Sequence, residues 1–120
     1  MTRAEWDALM REDPGECDRI VANVLFVDTL DDLPGWWPMI TGEAGEVYQG
    51  LPAFTTSWEA MGELMEKMGD TWFHLARFAK DGPQWRAQFG TDTADCYAPT
   101  APEAVCIAAL TALGHMEPGS

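Results

Sequence analysis

The chain has 120 residues, enough for one domain with a real core and too few for two. A hydrophobic content of 47% with six Trp argues against disorder, and 20 acidic against 7 basic residues, a net charge of -13, repel nucleic-acid phosphates and anionic membranes. Cys17, Cys96 and Cys106 form no CxxC pair, which suits reduced thiols in a cytoplasm better than a disulfide framework.

Glu5, Asp7, Glu12 and Asp13 interrupt any apolar run near Met1, so no signal peptide is expected. No stretch approaches the length of a transmembrane helix. The expected product is a soluble cytoplasmic protein.

In chain order, Thr2 and Glu5 have the spacing of a capping box, and Trp6, Leu9 and Met10 follow at helical intervals. Asp13 and Pro14 restart a helix whose apolar stripe is Cys17, Ile20, Val21, Val24 and Leu25. From residue 28 to residue 52 Pro and Gly forbid a long regular element, leaving an irregular loop with at most a weak strand around Val47 and Tyr48. Thr56 and Glu59 predict a second capping box, ahead of a helix with Trp58, Met61, Leu64, Met65 and Met68 on one face and a stop at Gly69.

The period then changes to two. Residues 71–78 and 84–89 are aromatic-rich, alternate, and flank a turn at Asp81-Gly82-Pro83, which predicts a hairpin. Pairing Phe73 with Phe89 and Leu75 with Ala87 puts Trp85 on the same, buried side. The reverse face then holds His74, Ala76, Phe78, Arg86 and Gln88. A short strand at residues 95–98 and a last helix follow, the helix opened by a third capping box, Thr100 with Glu103, and ended at Gly114.

This order predicts an α+β domain over residues 1–114, a three-stranded antiparallel sheet sandwiched by helices as an α-β-α sandwich. Residues 115–120 read as a flexible tail.

Chemistry-bearing patterns are sparse. His74 and His115 are the only histidines and the thiols are scattered, so neither a metal centre nor a cofactor site is expected. Cys96 and His74 lack an orienting third residue, and no glycine-rich phosphate loop is present. Arg77, Lys80 and Arg86 form the one local basic cluster, a candidate anion contact set against the bland reading that they balance neighbouring acids.

Asp28, Asp31 and Asp32 beside Trp36 and Trp37 have the composition of a partner-binding surface, an aromatic anchor with an acidic rim. The competing reading folds both indoles over the core as a lid.

Two stretches resemble the phage ABA sandwich domain family. One is Pro52-Ala53-Phe54-Thr55-Thr56-Ser57 leading into Ala60, Leu64, Met65, Glu66, Lys67 and Met68; the other is Trp85-Arg86-Ala87-Gln88-Phe89 followed by the helix at residues 100–110. The opening from Trp6 to Arg11 is similar too, and Gly62 departs from the pattern, which often has a bulky aromatic residue there. The resemblance implies a small phage or prophage protein with no general catalytic assignment.

On it rests the expectation of a non-enzymatic accessory protein that binds a host protein, inhibiting a defence component whose basic face normally holds nucleic acid. Sequestration of an anionic signalling nucleotide, and a structural or assembly role, are the alternatives.

Overall fold

The computed structural model describes residues 1–26, 37–41, 43–78, 84–90 and 95–117. Helix α1 (Arg3–Glu12) starts with the expected reciprocal cap: Glu5 N–H donates to Thr2 Oγ1 and Thr2 N–H to Glu5 Oε1, both at 3.1 Å. Trp6 is the residue α1 buries completely. Helix α2 (Pro14–Leu25) has Pro14 in its first turn, and Cys17, Val21, Ala22 and Leu25 make its buried face. The two helices pack as a hairpin.

Between α2 and the third helix lies a two-stranded ribbon, β1 (Met39–Thr41) paired antiparallel with β2 (Val47–Gln49). The sequence shows only its second strand, because the Pro and Gly flanking the first hide its three residues. Gly45, at φ 85°, sits in the connecting turn, where a side chain would be strained.

Helix α3 (Trp58–Met68) begins one residue later than its capping pattern suggests. Ser57, not Thr56, is the cap, and its Oγ accepts from Ala60 N–H at 3.2 Å. Gly69, at φ 69°, stops the helix as expected. Gly62 points to solvent, and a Cβ built on it meets nothing within 4 Å, so the missing aromatic side chain leaves no hole in the packing.

Strands β3 (Phe73–Phe78), β4 (Gln84–Phe89) and β5 (Cys96–Ala98) form an antiparallel meander in that order. The register is the expected one, with Phe73 opposite Phe89 and Leu75 opposite Ala87. Ala87 and Phe89 are buried, while Phe73, Leu75 and Trp85 are half-buried against the same core. The Phe73 and Phe89 rings lie 4.6 Å apart, an aromatic pair bridging the strands.

Helix α4 (Ala101–Ala112) packs on β4 and β5 and also on α3 and α2. Every residue from Ala101 to Leu110 is buried, so its neighbours surround it and it forms the middle of the stack. The α+β class and the three-stranded antiparallel sheet are those the element order predicts. On the sheet, β5 offers Cys96 and Ala98 to α4, and the opposite face is open among the described residues.

The third expected capping box does not form. Thr100 precedes α4 without a side-chain hydrogen bond, and Glu103 turns inward. Residues 115–117 are also better held than a frayed tail: Met116 is buried and Glu117 N–H donates to Met1 O at 2.9 Å. Among the described residues no helix is long and apolar enough to cross a membrane.

Two substitutions test this packing. Phe89→Ala should cost about 3–5 kcal/mol in a urea titration, the range for a core aromatic, and a loss under about 1 kcal/mol would remove Phe89 from the core. Gly62→Ala should instead add about 0.5–1 kcal/mol, because the position is helical, exposed and open to a methyl group.

Candidate functional site

The strand period places His74, Arg86, Gln88 and Tyr97 on the sheet face turned away from α4. Trp72, just before β3, continues that side and stacks on His74, with centroids 6.0 Å apart and planes at 9°. His74 Nε2 and Arg86 Nη2 are 3.0 Å apart, and Arg86 Nη1 lies 3.6 Å from Asp95 Oδ2. Tyr97 stands opposite Arg86 in the ladder. Trp72 is 50% exposed and Tyr97 42%, so two large aromatic side chains face solvent around a polar centre.

This geometry separates residues that the sequence brings together. Arg77 is opposite Trp85 and Arg86 opposite Ala76, so the two arginines leave the sheet on opposite faces, and Lys80 lies outside the described residues. Arg86 is already engaged by His74 and Asp95. Cys96 pairs with Ala87 and faces the core, whereas His74 pairs with Gln88 and faces away, so the sheet itself stands between thiol and imidazole.

Of the proposed partner-facing residues, Asp28, Asp31, Asp32 and Trp36 lie outside the described residues. Trp37 belongs to the core. It is 3% exposed and meets Phe26 and Phe54 edge-on, each at 6.4 Å, while those two rings stack at 5.0 Å. Its indole is therefore spent on packing, as the lid reading has it.

The thiols are chemically quiet. Burial, reinforced by Asp18 and Glu103, pushes Cys17 up to about 12, and burial likewise raises Cys106 and Cys96. A protonated thiol is a poor nucleophile and a poor metal ligand. Among the described residues no group of three His, Cys, Asp or Glu is placed to hold a metal ion.

A cavity of about 350 Å³ opens between α1 and the start of α4, lined by Arg3, Asp7, Arg11, Gln84, Tyr97 and Glu103 among others. Arg3 is fixed there: its Nε donates to Asp7 Oδ1 at 2.9 Å and its Nη1 to Tyr97 O at 2.6 Å. Glu103 is 7% exposed.

Burial raises the Glu103 pKa, the Arg3 charge opposes that rise and the Asp7 charge adds to it. The Trp6 indole N–H stands near enough to favour the charged carboxylate, but its nitrogen closes no hydrogen bond of acceptable geometry. Asp18, the other buried acid among the described residues, is better served, since Thr55 N–H and Thr55 Oγ1 both donate to its Oδ1 at 2.9 Å. The cavity was hidden in the sequence because Thr100 and Glu103 have capping-box spacing. The one acid in an otherwise apolar, Ala-rich run was the available signal.

No family model matches the chain, and no curated protein does. Among solved structures it is similar to a phage protein from Bacillus cereus, with a TM-score of 0.58 and 20% identity over 84% of this chain and 87% of that one. At that identity the likeness establishes a shared fold.

Glu103 makes stability depend on pH in a defined direction. Unfolded, it titrates near 4.5, and folded it titrates higher. Between those values the folded state binds more protons than the unfolded one, so stability falls as pH rises through the window. Glu103→Gln should therefore melt higher than the native chain at neutral pH, with the difference shrinking as pH drops below the unfolded value. Calorimetric melting of both proteins across pH checks this, and a gap that widens toward acid would reverse the assignment.

Proposed function

We propose that this is a non-enzymatic, phage-encoded accessory protein of the host cytoplasm that acts by binding a host protein. Inhibition of an antiviral defence component is the consequence we attach to that binding. The supporting observation is the sheet face left open among the described residues, where Trp72 and Tyr97 expose their rings around His74 and Arg86. Trp, Tyr and Arg are the residue types that carry most binding energy at protein interfaces, because each offers a large contact area with a polar tip.

Three further observations support the reading. The raised thiol pKa values and the separation of Cys96 from His74 favour recognition over nucleophilic chemistry. The fold shared with a Bacillus cereus phage protein supports phage origin. The net charge of -13 favours a basic partner, including one that otherwise holds nucleic acid, with Asp28, Asp31, Asp32 and Trp36 as the companion acidic surface.

The double variant Trp72→Ala, Tyr97→Ala tests the face directly. Both side chains are exposed, so the melting temperature should stay within a few degrees of the native value. Recovery of the host protein captured by the native chain should fall at least about tenfold. Equal capture by the folded variant would remove the face from the binding surface, and activity lost in a folded Cys96→Ser variant that still captures the host protein would bring back a catalytic reading.

A further inference from the structure

The cavity beside α1 carries a charge pattern that a protein-docking face does not explain. Arg3, Asp7, Met10 and Arg11 recur at helical spacing, so one stripe of α1 forms its wall. Arg3 is consumed by Asp7 and by the Tyr97 carbonyl. What is left over is one acid and one base. Glu103 lines the cavity at 7% exposure, and among the described residues the nearest donor, the Trp6 indole N–H, closes no hydrogen bond of acceptable geometry. Arg11, one turn beyond Asp7, lines the same cavity and makes no ion pair among the described residues.

A buried carboxylate with only the Arg3 charge and the poorly aligned Trp6 N–H beside it is costly, since desolvation is not fully repaid by hydrogen bonds. A ligand that brings a charged donor to Glu103 repays it. A simple cation would leave Arg11 unanswered, and a simple anion would face both Asp7 and Glu103. A molecule bearing both charges satisfies the two ends at once.

We propose that this cavity binds a small zwitterion of the amino-acid class, its ammonium or guanidinium group on Glu103 and its carboxylate on Arg11. Tyr97 also lines the cavity, where its carbonyl holds Arg3 in place. The volume of about 350 Å³ lies at the small end of ligand pockets, as such a molecule requires. The site is distinct in chemistry from the basic set Arg77, Lys80 and Arg86. It also goes beyond protein binding, although Tyr97 borders both surfaces.

Titration calorimetry on the full chain tests it with L-arginine, agmatine (the same guanidinium without the carboxylate) and acetate. L-arginine should bind saturably, and agmatine and acetate more weakly. Glu103→Gln, which keeps shape and removes charge, should weaken L-arginine at least about tenfold. Arg11→Gln, an exposed change that leaves the fold alone, should weaken L-arginine while leaving agmatine within about twofold. Absence of L-arginine saturation up to about 10 mM would overturn the proposal, as would acetate binding as tightly or an unchanged affinity in the folded Glu103→Gln protein.

Discussion

The burial of α4 on all sides is the constraint on which the other elements depend. A helix ordinarily has one apolar stripe and one wet face, and a helix apolar all round must be enclosed. From Ala101 to Leu110 this one is enclosed, by β4 and β5 and by α2 and α3. Its alanines make that possible, because short side chains let a sheet and two helices approach one axis. Among the described residues no second helical layer covers the sheet, and its far face carries Trp72, His74, Arg86 and Tyr97. The same enclosure draws Glu103 inward, since the residue opens a helix whose surroundings are already dry.

Much of this was legible from residue types alone. Period-two alternation in residues 71–78 and 84–89 is strong enough to fix the β3–β4 register to the residue, because one slipped position would turn Phe89 outward. Helix starts were legible to within a residue, with Ser57 displacing Thr56 because either hydroxyl can cap the same turn. The β1–β2 ribbon was not legible: three-residue strands among Pro and Gly carry too few alternations to register as a pattern.

The site residues were harder to read for a physical reason. Trp37 and Trp72 look alike in sequence, a large aromatic residue near a break in regular structure, and tertiary packing alone makes one core and the other surface. The ring cluster of Phe26, Trp37 and Phe54 collects residues from three separate parts of the chain, so no local window contains it. Glu103 was disguised by a spacing that serves two purposes. A Glu in the first turn of a helix can reach back to the backbone or turn toward a cavity, and the choice depends on the neighbours of α1, not on the helix itself.

The placement of the thiols has a practical side. Cys17, Cys96 and Cys106 sit in α2, β5 and α4 respectively, all buried and all held in the protonated form. An alkylating reagent reaches each only when the surrounding element opens, and then at a rate set by the free energy of that opening. Three elements of one small domain thus carry their own native reporters, one thiol apiece. Mass-resolved labelling of the unmodified chain would rank their local stabilities without introducing a single probe.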